Sequence, residues 1–343
     1  MRTYWPILAG FVASCGPSDG TPAGILKAAD TGTPAPSTSG TTTSNTTTTT
    51  TTTASTQIGF PWVPYDCSAG VPPGPFSGRV MPGTYSNEDI AMDLEGFLVT
   101  PDFSGNVLRV SYLGNQNALF SGFSDPTGLE VLPNGDILIA DRNQGALARW
   151  DHITGAVWTV TTGLLWPNGV EIAPDGSAFI ADTTAEAVYW VDSDTGDRVT
   201  VASDIAGADG ITFNETYEWL YVGSIMNGDI VKVHVDGPGV AGTIEPFVSG
   251  QSAPWDTADG LQVDRCGNLY VADFWDSVWR VDPVTRDVEL VVSYDSFIGI
   301  PSMRFGSALG DWDPLKLYVS TYGEVLEVDV GVPNKERWPP VWP

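Results

Sequence analysis

Hydrophobic and polar positions along this 343-residue chain recur in a three-run unit that is clearest at 255–283. There Ala258-Asp259-Gly260 opens a short apolar run, and a turn at 264–268 follows. A second run, 269–272, ends on Asp273, and a third, 277–281, ends on Asp282-Pro283. Short alternating runs broken by Gly, Asn, Asp and Pro predict a β-meander. A sustained 3.6-residue apolar period is missing throughout, so little helix is expected.

Similar units open at Asn87-Glu88-Asp89-Ile90, Pro126-Thr127-Gly128-Leu129, Pro167-Asn168-Gly169-Val170, Ala208-Asp209-Gly210-Ile211 and Pro301-Ser302-Met303-Arg304. The residues in one register are Glu88, Thr127, Asn168, Asp209, Asp259 and Ser302, at steps of 39, 41, 41, 50 and 43. Four-stranded propeller blades repeat at about this length. The last unit has runs near 302–305, 316–321 and 325–330 but no fourth. A spare run at 76–81 is expected to supply that strand and close the ring, which removes an exposed edge. The predicted fold is therefore all-β: a six-bladed β-propeller of four-stranded antiparallel blades, closed by an N-terminal strand.

Composition adds a different beginning. Arg2, an apolar run at 4–14 and Val12-Ala13-Ser14-Cys15 have the form of a bacterial lipoprotein signal, with Cys15 lipidated. Residues 15–58 are rich in Thr, Ser, Pro and Gly and predict a disordered linker. The expected domains are a signal peptide at 1–14, this linker, and a propeller at 59–343. The expected location is outside the cytoplasm, as an outer-membrane or cell-surface lipoprotein or as a periplasmic or secreted protein. The membrane is then met only through the lipid anchor. Cys67 and Cys266 remain. Cys266 lies in a first-to-second-strand turn, and Cys67 precedes the closing strand on the same face, so a disulfide between them is expected. Net charge is −27, from 42 acidic and 15 basic residues. This excludes a nucleic-acid partner, which needs a basic face.

The six equivalent residues start the innermost strands and meet around the channel. Glu88, Asp209 and Asp259 bring carboxylates, Asn168 a carboxamide, and the chain's two histidines lie elsewhere. An oxygen-only set with crowded carboxylates fits Ca2+, with another divalent cation as the alternative. Second-strand ends and residues before the openings share this face. Candidate rim residues are therefore Thr127, Ser302, Trp166, Trp255 and Arg142, with Asp102, Asp141, Asp182, Asn227, Asp256, Asp273 and Trp275 also on that side.

Residues 72–331 resemble the six-bladed senescence-marker-protein/gluconolactonase group, with paraoxonase-like and strictosidine-synthase-like relatives. The resemblance rests on Glu88, on Pro167-Asn168-Gly169, and on Ala258-Asp259-Gly260-Leu261 with Asn268-Leu269-Tyr270-Val271-Ala272. It implies a catalytic cation, commonly calcium, held by Glu88, Asn168, Asp209 and Asp259, and hydrolysis of lactones or related esters. Asp209 stands where the group usually has Asn. Gly169 stands where a second-metal branch has an acid. Asp259 is the implied base, with Asp209 as the alternative. The expected ligand is a small lactone, ester or sugar-like molecule, bound by a monomer. The alternative function is a non-catalytic propeller that binds a ligand or partner around a structural metal.

Overall fold

The computed structural model describes residues 60–295 and 297–337. The signal, Cys15 and the Thr-rich linker lie outside the described residues. Among the described residues, twenty-four strands form six four-stranded antiparallel sheets. Blade one holds β2 (Ala91–Met92), β3 (Leu98–Pro101), β4 (Asn106–Val110) and β5 (Gln116–Ser121). Blade two runs from β6 (Pro126–Val131) through β7 (Ile137–Asp141) and β8 (Ala146–Trp150) to β9 (Val157–Thr162). Blade three begins at β10 (Pro167–Ile172) and β11 (Ala178–Asp182), and ends with β12 (Ala187–Val191) and β13 (Arg198–Ser203). Blade four comprises β14 (Ala208–Phe213), β15 (Trp219–Ser224), β16 (Ile230–Val235) and β17 (Ala241–Val248). Blade five comprises β18 (Leu261–Val263), β19 (Leu269–Asp273), β20 (Ser277–Val281) and β21 (Val288–Ser293).

Blade six is completed from both ends of the chain. It takes β22 (Met303–Phe305), β23 (Lys316–Ser320) and β24 (Val325–Asp329), and β1 (Gly78–Val80) pairs antiparallel with β24 as its outer strand. The spare N-terminal run thus closes the ring as expected. Cys67 and Cys266 form a disulfide, with Cα atoms 5.5 Å apart. It ties the segment leading into β1 to the first turn of blade five.

Burial falls from axis to rim. Inner β6 and β14 are buried along their whole length, because a neighbouring blade covers each face. Outer β5 and β9 are largely exposed. The buried apolar residues form six clusters, one at each blade–blade interface, such as Phe179 with Phe213 and Tyr270 with Phe305. No single central core exists among the described residues. The centre is polar, and the strand starts that surround it set the site.

Candidate functional site

In blades two, three and four the inner strands carry their ring residues on β-bulges, and in the other blades the ring residue lies just before the inner strand. Pairing in blade two jumps from Pro126 with Asp141 to Leu129 with Ile139, which sets the two residues Thr127-Gly128 against the single Ala140. Asn168-Gly169 and Asp209-Gly210 sit in the same position in blades three and four. A bulge bends the strand and re-aims its side chain, here toward the axis. Each glycine serves close approach between blades. A Cβ on Gly128 would lie 1.9 Å from the Asn168 carbonyl oxygen, and one on Gly210 would lie 1.6 Å from that of Asp259. The glycines at 128, 169, 210 and 260 therefore mark where the openings of blades two to six crowd against one another, which is a stronger constraint than a turn.

Asp209 and Asp259, both buried, hydrogen-bond to one another through their carboxyl groups. The Asn168 amide Nδ2 donates to Asp209 Oδ2 at 2.7 Å, which leaves the Asn168 carbonyl oxygen free of that bond. Thr183 Oγ1 donates to the same Asp209 oxygen at 3.3 Å. Desolvation raises the Asp209 pKa to about 6, against the hydrogen bond from Asn168 and the field of Arg142. Desolvation, then the charges of Asp209 and Glu88, raise Asp259 well above the usual carboxylate range. The pair thus holds a shared proton.

Glu88 is drawn aside. Arg142 Nη1 lies 3.2 Å from Glu88 Oε1, while its Nε and Nη2 grip both oxygens of Asp125 at 2.7 and 3.1 Å. Its guanidinium also lies 5.0 Å from the Trp166 ring centroid. Burial pushes Glu88 up to about 7, with Arg142 opposing. The expectation of three converging carboxylates is therefore met by two in contact and a third paired with a cation.

The remaining sequence candidates separate. Thr127 is fully buried, and its hydroxyl donates to the Pro167 carbonyl at 3.0 Å. Ser302 donates to Asp89. Trp255 is 2% exposed and packs in the interface of blades four and five, with Nε1 donating to the Gly228 carbonyl, so it does not line the rim. Asp141 and Asp182 accept backbone N–H groups of the loops entering β6 and β10. Asp273 does the same for Thr257. These three second-strand ends anchor loops rather than face a ligand. Trp166 and Arg142 do reach the mouth.

Three functional groups went unseen in the sequence. Arg304 extends along the axis, with Nη2 3.3 Å from Asp89 and 3.1 Å from Glu130. Its guanidinium thus pairs with the carboxylate of Asp89 and the buried carboxylate of Glu130. Lys335, from the chain segment after blade six, is buried at the other end of the channel. Its Nζ reaches Glu171 at 2.8 Å, Thr212 Oγ1 at 2.9 Å and the Phe213 carbonyl at 2.6 Å. Tyr322 stands at the mouth, and the nearby Glu88 and Asp259, after burial, hold its phenol protonated. Of these three, Arg304 lies on inner strand β22, whereas Tyr322 comes from a loop and Lys335 from the segment after β24.

A cavity of about 30 Å³ is lined by Glu88, Asn168, Asp209 and Asp259, among others. It suits a single ion or water rather than a substrate. All donors are oxygens, and burial leaves their negative charge poorly compensated. These residues fit a hard divalent cation. A second cluster, Asp136, Asp151 and His152, gathers ligand-type atoms within 4.8 Å in turns of blade two. Its Asp136 is already held by Arg149 at 2.7 Å and His152 at 2.9 Å.

No protein-family model and no curated protein sequence matches the chain. Solved structures do. A gluconolactonase from Xanthomonas campestris superposes with TM-score 0.65 at 17% identity, over 78% of this chain and 94% of that one. A calcium-binding regucalcin from Agrobacterium tumefaciens gives TM-score 0.64 at 19% identity, over 78% and 98%. A chain of a nidogen/laminin complex gives 0.56 at 14%, over 68% and 89%. The chain has the six-bladed fold of the gluconolactonase and regucalcin structures.

Proposed function

We propose that this protein is a divalent-cation-dependent hydrolase of lactones or related esters, with calcium as the first choice of ion. The observation that best supports this is the buried Asp209–Asp259 pair beside Asn168 and Glu88. Glu88, Asn168, Asp209 and Asp259 would hold the ion. A bound divalent ion supplies polarisation of the ester carbonyl and acidifies water. Asp259 is the general base of this reading: a bound cation would displace the proton of the buried pair and leave the Asp259 carboxylate ionised beside the water. Asn168 orients Asp209 through its amide, and Arg142 orients Glu88. The gluconolactonase and regucalcin likenesses point the same way.

One observation favours a non-catalytic binder instead. Arg142 already neutralises Glu88, and the extra carboxylate of Asp209 would blunt the ion's Lewis acidity. The nidogen/laminin likeness is a propeller found in a protein complex. A lactone and ester panel decides between the two. Calcium-dependent turnover that vanishes on chelation and in Asp259→Ala supports the hydrolase. Tight calcium binding with no turnover across the panel refutes it.

We further propose export, with Cys15 lipidated and residues 15–58 as a tether, and action as a monomer on a small ligand without nucleic acid. The Cys67–Cys266 disulfide supports export, because such bonds persist in oxidising compartments.

A further inference from the structure

We propose that the mouth of the channel takes a ligand bearing a flat aromatic ring, seated on a wall of six aromatic side chains beside the carboxylates. The wall consists of Tyr85, Phe103, Tyr322, Phe274, Phe297 and Trp275. Phe103, Phe274, Trp275 and Tyr322 lie in second-to-third-strand turns of blades one, five and six. Phe297 lies between β21 and β22, and Tyr85 lies before β2. Each of these connections emerges at the end of the propeller where the ring residues start, so all six rings share that face.

They form one continuous run. Tyr85 meets Phe103 at 6.2 Å, Phe103 meets Tyr322 at 6.0 Å, and Tyr322 meets Phe274 at 5.5 Å between centroids. Phe274 then meets Phe297 at 5.6 Å and Trp275 at 6.0 Å, and those two meet at 5.5 Å. The pairs are edge-on or tilted, which leaves ring faces open to a further ring.

Packing between blades does not account for the run. That is served by strand residues such as Phe179 and Phe213. Phe103 is 68% exposed, Phe297 55% and Tyr322 43%. Exposed apolar side chains are ordinary when scattered, but a contiguous set marks a binding surface. Its inner edge, Tyr322, lies within the field of Glu88 and Asp259, so a ligand spanning both would bring its polar end to the ring. A polyol would need hydrogen-bonding partners that this wall mostly lacks. The preferred occupant is an aryl-substituted ester or lactone, an assignment that rests on the hydrolase reading for its polar end.

Calorimetric titration of the full-length, calcium-loaded protein with unhydrolysable δ-lactams separates the two ideas. The probes are a phenyl-substituted δ-lactam, the unsubstituted δ-lactam and the gluconic δ-lactam. The phenyl compound is expected to bind about tenfold tighter than the unsubstituted one. Phe103→Ala and Phe297→Ala, both in exposed turns, should each shrink that preference severalfold without changing affinity for the unsubstituted lactam. Equal affinities, tighter binding of the gluconic lactam, no binding of the phenyl lactam, or a preference untouched by both variants would overturn the proposal. A phenyl preference in a protein that hydrolyses no lactone supports the wall and removes the hydrolase.

Discussion

Replacing Asp209 with asparagine is expected to make the cation-free protein more stable, and only toward neutral and higher pH. The Asp209 carboxyl is 3% exposed, and burial raises its pKa from the ordinary 3.8 to about 6. Between those values the folded protein keeps a proton that the unfolded chain has lost. Stability therefore falls as pH rises through this window. A shift of roughly two pKa units corresponds to about 3 kcal/mol once pH exceeds the folded value. Glu88, raised by burial to about 7, adds to the same downward slope. An asparagine carries no charge. Its oxygen can accept from Asn168 and Thr183 as the carboxylate does, and its amide can donate to Asp259 in place of the shared proton. Urea denaturation in EDTA, with the disulfide intact, at pH 5 and pH 8 provides the measurement. Wild type should lose several kcal/mol between the two, and Asp209→Asn should lose about 1.4 kcal/mol less, the share of the Asp209 window that lies above pH 5. Calcium should restore wild type at pH 8 and help the variant much less. A variant destabilised equally at both pH values would refute the argument, because Asp209 would then be an ordinary structural acceptor.

Three other perturbations test the frame around the site. Cys67→Ser opens a loop spanning 199 residues; the chain-entropy model sets its cost at about 5 kcal/mol, read as a lower denaturation midpoint. Lys335→Met leaves Glu171 buried without its ion-pair partner and should cost about 3–5 kcal/mol, with much of the loss restored by adding Glu171→Gln. A double variant no better than the single would show that the pair is not coupled. Gly210→Ala drives a Cβ against the Asp259 carbonyl and should cost about 3 kcal/mol or more, with loss of calcium binding; near-neutral stability would contradict the crowding of the inner strands.

Most of the fold was legible because a repeat multiplies weak signals. One Asp-Gly pair is an ordinary turn, but six openings at 39- to 50-residue steps identify blades, an axial register and a missing outer strand. The same bookkeeping of strand direction placed Cys67 and Cys266 on one face, where they are bonded. Reading fared worse for side chains beside the axis. Trp255 and Arg142 both adjoin strand ends, yet one fills an interblade core and the other pairs with Glu88. Nothing in their local sequence separates the two.

The amino-acid pattern alone settled the blade count, the closure by β1 and which residues start the inner strands. Each of these depends on short runs and turns, whose periodicity is local. Ring closure decided the rest: the Asp209–Asp259 contact, Arg142 on Glu88, Arg304 on Asp89, Lys335 at the far end and the aromatic wall. The charged partners lie from 50 to more than 200 residues apart along the chain, as do Phe103 and Tyr322 in the wall, and only the assembled circle brings them within reach. Electrostatic and aromatic contacts depend on distances that no local pattern encodes.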